Sequence, residues 1–131
     1  MASLRVSRSL LLPGLAFAAC FLVVGVPYWA IPYAQASLPG TLMAPGLLGV
    51  PIAAFALRFP LRHSFLAALA APGLAVPAAV LARVGWEVAK DPTSHNLWPF
   101  EAVLAGLVGL GAALVGAILA SLILLLLQRR R

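Results

Sequence analysis

Acidic and imidazole side chains gather in one short part of the chain. His95 lies there with Glu87, Asp91 and Glu101. An imidazole beside carboxylates can bind a transition metal or act as a base near neutral pH. The spacing matches no metal-binding motif, however, and the other histidine, His63, belongs to a different part of the sequence. We therefore expect no catalytic residue, no cofactor and no metal, and interpret His95 as a hydrogen-bonding residue.

All tryptophans and tyrosines of the chain lie either close to these acidic residues or in one earlier stretch, 28–33. Membrane proteins normally carry such aromatic residues at both interfaces with water. Their presence on one side alone predicts a packed cap that contacts a partner or ligand. The candidate contact residues are Trp29, Tyr33, Trp86, Glu87, Asp91, His95, Asn96, Trp98 and Glu101.

Several of these residues also have structural roles that follow from local rules. Asp91 precedes a proline and should end a helix, because a residue in that position avoids the α region. Arg83 and Glu87 are four residues apart and can pair on one helix face. Pro99 suits the first turn of a helix, and Glu101 suits the positive end of the same helix. These rules predict a helix end, a turn and a helix start within the cap.

The composition identifies the kind of element that must position these residues. The chain has 131 residues, of which 63% are hydrophobic and 9% charged, and its mean hydropathy is +1.06. A water-soluble domain has about a quarter of its residues charged, and a disordered chain has low hydrophobicity. Both classes are excluded. We expect an all-α integral membrane protein that forms a single domain over 1–131.

Four uncharged stretches are long enough to cross a bilayer, which requires roughly 20 apolar helical residues. The predicted spans are 10–28, 38–57, 64–82 and 102–127. The first two are separated by PYWAIPYAQASLPG, whose prolines and polar residues favour an interfacial turn. The outer loops are then 29–37 and 83–101, and the inner loop is 58–63. The first apolar run exceeds the core of a secretory signal peptide, so we expect the first span to stay uncleaved.

The basic residues predict the orientation of these spans. Of the nine lysines and arginines, only Arg83 and Lys90 lie on the side opposite to the termini. Short loops rich in such residues stay cytoplasmic, so both termini should be cytoplasmic in a cell membrane of the bacterial inner-membrane type. We attribute the net charge of +6 to basic residues that contact the anionic headgroups of the lipid. A basic stripe with interleaved aromatic residues is missing, which speaks against nucleic-acid binding.

Prolines inside the second and third predicted spans suggest kinks. The sequence from Ala44 to Pro51, APGLLGVP, resembles APGLAVP from Ala71 to Pro77. In transporters, such paired interruptions in oppositely directed helices point to a binding site. A chance repeat in an alanine- and leucine-rich chain is the alternative interpretation.

The fourth predicted span carries small residues at helical spacing. Such residues let another helix approach closely inside a membrane, and the partner is either a neighbouring span or a second copy of the chain. The predicted packing residues are Ala105, Gly109, Ala113 and Gly116.

Three functions fit these patterns. The first is a non-enzymatic accessory or assembly subunit that contacts a membrane partner or lipid through the cap. The alternative is a small homo-oligomeric transporter or channel that uses the interrupted second and third helices. A membrane enzyme acting through His95 is less favoured. Ionisable residues are missing from the middle of every predicted span, which speaks against an ion pump.

Overall fold

The computed structural model describes residues 2–32, 35, 40–95 and 97–130, and every secondary-structure element within them is a helix. The α-helices are α1 (Ala2–Ala30), α2 (Gly49–Arg58), α3 (Phe65–Lys90) and α4 (Trp98–Arg129), and two 3₁₀ helices (Gly40–Leu42 and Pro45–Leu48) precede α2. The predicted all-α fold is confirmed. Among the described residues, three stretches are long and apolar enough to cross a membrane: Leu10–Ala30, Phe65–Lys90 and Trp98–Arg129.

The helix boundaries in the cap follow the local rules of the sequence. Asp91 is extended, with φ −140° and ψ 100°, and α3 ends immediately before it, as the proline at 92 predicts. Pro99 lies in the first turn of α4, where its missing N–H costs nothing, and Glu101 follows in the same turn. At the other end of α3, the Ser64 hydroxyl accepts a hydrogen bond of 3.1 Å from the backbone N–H of Ala67. The end of α3 at Asp91 and the position of Pro99 and Glu101 in the first turn of α4 agree with the prediction.

The second apolar segment is divided rather than continuous. Ala44 has φ −100° and ψ 162° because the following Pro45 disfavours the α region for it. Pro45 then begins a 3₁₀ helix, and α2 follows with only ten residues. Pro51 lies in the first turn of α2, where a proline is tolerated. The prolines of this segment therefore lie at helix starts rather than within a long helix.

α3, in contrast, continues as one helix through Pro72 and Pro77. It also extends beyond 82, the predicted end of its span, as far as Lys90. This extension adds about two turns, and it places Arg83 and Glu87 on the helix rather than in a flexible loop.

α3 makes the most extensive helix contacts, with α4 above all and also with α1 and α2. The four predicted small residues of α4 are buried at these contacts. A methyl group built on Gly109 would overlap the carbonyl oxygen of Gly73 on α3 and lie 2.8 Å from Cβ of Val76. A methyl group on Gly116 would overlap the carbonyl of Pro51 on α2. The small face of α4 therefore packs on α3 and α2 of the same chain.

Two of the close approaches involve carbonyls that a proline has left without an intrahelical donor. Pro27 has no N–H for the carbonyl of Val23, and a methyl group on Gly46 would overlap that carbonyl. In the same way, Pro77 has no N–H for the carbonyl of Gly73, which faces α4. Glycine at each contact lets the neighbouring backbone cover the exposed carbonyl.

The bundle has two chemically different ends. At the cap end, the ends of α1 and α3 meet the start of α4. At the basic end, the end of α2 and the start of α3 meet the end of α4. The core between them is built of small aliphatic side chains such as Ala54, Ala75, Val76 and Val80, all fully buried.

Candidate functional site

Arg83 is the centre of the cap. Its side chain is only 4% exposed, and its guanidinium donates a hydrogen bond of 2.6 Å to the carbonyl of Tyr28 and one of 2.5 Å to the carbonyl of Ile31. The guanidinium also lies 4.8 Å from the centre of the Tyr28 ring. A cation at the last carbonyls of a helix is favoured by their partial negative charge. Arg83 therefore fastens the end of α1 to α3.

A chain of paired charges extends from Arg83 to α4. Its Nε donates to Oε1 of Glu87 at 2.8 Å, so the predicted pairing of these two residues is confirmed. The second oxygen of Glu87 bonds to Nε2 of His95, and Nδ1 of His95 bonds to Oε2 of Glu101 at 2.7 Å. The His95 side chain thus lies between two carboxylates, which belong to different helices. This four-residue network joins α1, α3, the 91–97 loop and α4.

The network is electrically balanced when His95 is protonated, since two cations then face two carboxylates. Burial disfavours the charged imidazolium, but the hydrogen bonds to Glu87 and Glu101 outweigh it and raise the pKa of His95 above its ordinary value. A protonated ring donates from both nitrogens, which is what its two carboxylate partners require. The pKa shift therefore supports a structural ion network rather than a free base.

The 91–97 loop presents His95 to this network. The carboxylate of Asp91 accepts hydrogen bonds from the N–H and the hydroxyl of Thr93, at 3.0 and 2.6 Å, and these bonds lower its pKa. The carbonyl of Asp91 accepts from the backbone N–H of Ser94 at 3.0 Å. His95 itself has a φ of 53°, in the left-handed region that non-glycine residues seldom adopt. Asp91 thus shapes the turn and stays outside the charged network.

A surface cavity of about 570 Å³ opens beside the network, between the ends of α1 and α3. Trp29 and Ile31 line one side, while Trp86 and Lys90 line the other. Nζ of Lys90 lies 4.5 Å from the centre of the Trp86 ring, a cation–π distance. The cavity thus combines aromatic walls with three charged residues, namely Arg83, Glu87 and Lys90.

The aromatic residues of the cap divide into anchored and exposed members. Trp29 is anchored: its indole N–H donates to the carbonyl of Ala79 on α3 at 2.9 Å, and its ring packs edge-on against Phe21. Trp86 and Trp98 are 65% and 49% exposed. Trp86 and Trp98 therefore lie on the surface of the cap, whereas Trp29 is packed inside it.

The structure brings together three of the predicted contact residues in the charged network, namely Glu87, His95 and Glu101, and it brings Trp29 and Trp86 to the cavity. Tyr33 and Asn96 lie outside the described residues. Over the described part of the chain, no three His, Cys, Asp or Glu residues are arranged to hold a metal ion. Both ring nitrogens of His95 already have carboxylate partners, so this histidine is poorly placed to take a proton from a substrate.

Sequence reasoning missed the larger role of Arg83. Its pairing with Glu87 follows from their spacing, but its bonds to Tyr28 at the end of α1 and to Ile31 just beyond it join residues more than fifty positions apart. The only available signal was a lone arginine close to a predicted helix end, which favours bonds to terminal carbonyls. The bond from Trp29 to Ala79 on α3 was missed for the same reason, since it also joins residues far apart in sequence.

Comparisons with protein-family models, with curated proteins and with solved structures find no match to this chain.

Proposed function

We propose that this protein is a four-span membrane protein with both termini in the cytoplasm and its cap on the outer face of a cell membrane of the bacterial inner-membrane type. Within this membrane it serves as a non-enzymatic accessory or assembly subunit that binds a membrane partner through the cap. The single observation that carries the proposal is the pairing of the ionisable cap residues with one another. Such pairing holds a surface in place and leaves little capacity for catalysis.

Four spans require the divided second segment to cross the membrane. The 3₁₀ helices rise about 2.0 Å per residue and α2 about 1.5 Å, so that 40–58 would reach about 30 Å with these helices aligned end to end. This length matches the thickness of a hydrocarbon core. Non-helical backbone is tolerated at membrane depth where protein covers it, and α1 packs directly against both 3₁₀ helices. A fourth crossing also keeps Arg58 and Arg62 on the cytoplasmic side.

The surface of the cap supports a role in binding. Trp86, Leu97, Trp98 and Phe100 are all at least 49% exposed, and they surround a network that fixes the backbone beneath them. Aromatic residues are enriched at the centres of protein interfaces, where rigid rings contribute large contact areas. The cavity between Trp29 and Trp86 provides a place for an apolar side chain of the partner.

A transporter or channel is the second candidate, since the segment from Pro45 to Arg58 is a short apolar helix that begins in 3₁₀ form. Interrupted helices mark binding sites in transporters. Two observations favour the accessory role instead. The APGLLGVP and APGLAVP sequences adopt different backbone conformations, and the buried charged or histidine side chains among the described residues, Arg83 and His95, both lie in the cap.

Site-specific photo-crosslinking in cells tests the proposed function. A photoreactive residue at Trp86 or Phe100 should give a defined protein adduct. The same residue at Leu107, which is 66% exposed but lies within a predicted span, should not. Trp98→Ala should weaken the cap adduct while the amount of protein in the membrane stays unchanged, because insertion depends on the spans. Equal adducts from Leu107 and the cap, or no protein adduct from the cap, would contradict the accessory role.

A further inference from the structure

Arginines at the basic end lack an acidic partner within the chain. The protein has only three acidic side chains, Glu87, Asp91 and Glu101, and all of them lie in the cap. Arg62 and Arg130, both exposed, lie at the opposite end. No acidic side chain of the protein therefore lies near these two arginines.

Two of these arginines line a defined cavity rather than an open surface. A cavity of about 330 Å³ is lined by Arg62, Leu124, Leu127, Gln128 and Arg130. The arginines and the glutamine supply hydrogen-bond donors, and the leucines supply an apolar wall. Arginine suits phosphate because its planar guanidinium can donate two parallel hydrogen bonds.

The inner loop holds Arg62 in a fixed position. Arg62 has a φ of 58°, which is unfavourable for a residue with a side chain. Backbone hydrogen bonds hold the chain on both sides of it, from Leu61 to Ala56 at 3.3 Å and from His63 to Leu57 at 2.8 Å. Strained backbone of this kind persists where the surrounding structure determines it, and it often marks a functional position.

Arg58 fastens this loop to α4, which carries the other side of the cavity. Its Nε donates to the hydroxyl of Ser121 at 3.1 Å, and another nitrogen of its guanidinium donates to the carbonyl of His63, also at 3.1 Å. The two lining arginines are thus supplied by separate elements whose spacing Arg58 maintains. The cavity therefore presents two arginines, Arg62 and Arg130, beside an apolar wall of leucines.

We propose that this cavity, the basic-end site, binds the phosphate headgroup of an anionic phospholipid, with an acyl chain along Leu124 and Leu127. Basic pockets between membrane helices on the cytoplasmic side bind such headgroups, and the leucines match the hydrocarbon that continues from them. This site is independent of the cap and of whatever binds there.

Lipid binding in detergent, followed by native mass spectrometry, tests the basic-end site. Purified full-length protein is titrated with phosphatidylglycerol or with phosphatidylcholine. We expect one tightly bound phosphatidylglycerol and a clear preference for it over phosphatidylcholine. Arg130→Gln should weaken binding by about fivefold, the effect of one basic residue at an anionic surface. Arg129→Gln is the matched control, because this neighbouring residue is exposed but does not line the cavity, and it should change binding by less than about twofold.

Arg62→Gly separates loss of binding from loss of folding. Glycine adopts a positive φ without strain, so this variant should be at least as stable as the wild type while binding phosphatidylglycerol about fivefold more weakly. Glycerol phosphate without acyl chains should compete only weakly if the leucine wall contributes. Competition by glycerol phosphate as strong as that by the lipid would identify a site for free anions and overturn the lipid assignment. Equal effects of Arg129→Gln and Arg130→Gln, or no preference for phosphatidylglycerol, would also overturn the proposal.

Discussion

Replacement of Arg83 by glutamine is the perturbation whose cost can be worked out most directly from the structure. Glutamine cannot reach α1 and Glu87 together, so the variant loses two bonds to carbonyls and one to a carboxylate. It also leaves the network with one cation against two carboxylates. We expect the end of α1 to separate from α3.

The cost follows from the burial of each bond. Removal of one partner of a buried charged pair lowers the free energy of unfolding by about 3–5 kcal/mol. Only the bond to Tyr28 is fully buried, and that carbonyl retains a second donor, the N–H of Ile31 at 3.2 Å. Water can reach the carbonyl of Ile31 and the carboxylate of Glu87, whose bonds are part-buried. We therefore expect a loss of about 3 kcal/mol in the free energy of unfolding, at the lower end of that range.

Equilibrium unfolding in mixed detergent micelles measures this loss. Tryptophan fluorescence is a suitable signal because Trp29, Trp86 and Trp98 all lie in the cap. Lys90→Gln is the matched control, since Lys90 is an exposed cation of the same helix outside the hydrogen-bonded network. It should stay within about 1 kcal/mol of the wild type, because it loses only the exposed cation–π contact with Trp86.

Arg83→Lys adds an intermediate case. Lysine keeps the charge but lacks the planar fork that reaches several acceptors at once, so its loss should fall between those of the glutamine variant and the control. If Arg83→Gln were as stable as Lys90→Gln, the argument that the network holds the cap together would be refuted.

Two further predictions concern pH and helix packing. The raised pKa of His95 means that the folded protein holds this proton more tightly than the unfolded chain, so the stability that His95 contributes is fully present below a pH of about 6.5 and is lost as the pH rises through the folded pKa. Unfolding of His95→Gln should lack this dependence, whereas His63→Gln should keep it; equal profiles for both variants would show that another group titrates. Gly109→Ala should lose about 1–3 kcal/mol in the same unfolding assay through overlap with α3, whereas Gly111→Ala, with open space around its Cα, should not. Equal stability of the two alanine variants would place Gly109 outside a close helix contact.

Much of the fold was predictable because the relevant signals are local. Apolar length predicted the long helices, and Pro92 predicted the end of α3 through its effect on Asp91. The small residues of α4 predicted a close helix contact, but not that α3 and α2 of the same chain would supply it. The division of the second segment was harder to predict, since Pro45 begins a helix while Pro72 and Pro77 lie inside one.

The candidate site was predictable only in part. Proximity in sequence pointed to Glu87, His95 and Glu101, and the pairing of Arg83 with Glu87 followed from helical spacing. The bonds from Arg83 to α1 depend on which helices become neighbours, which local rules do not determine. The cavity at the basic end likewise requires Arg62 and Arg130, far apart in sequence, to meet at one end of the bundle.

The central claim is that the chain crosses the membrane four times with the cap outside. Substituted-cysteine labelling tests it most directly, because Cys20 is the only native cysteine and is buried. In a Cys20→Ala background, an impermeant maleimide should label Thr93→Cys in intact cells. Leu61→Cys, between α2 and α3, should be labelled only after the cells are permeabilised. Labelling of Leu61→Cys in intact cells, with protection of Thr93→Cys, would mean that the divided segment does not cross, and it would contradict the account.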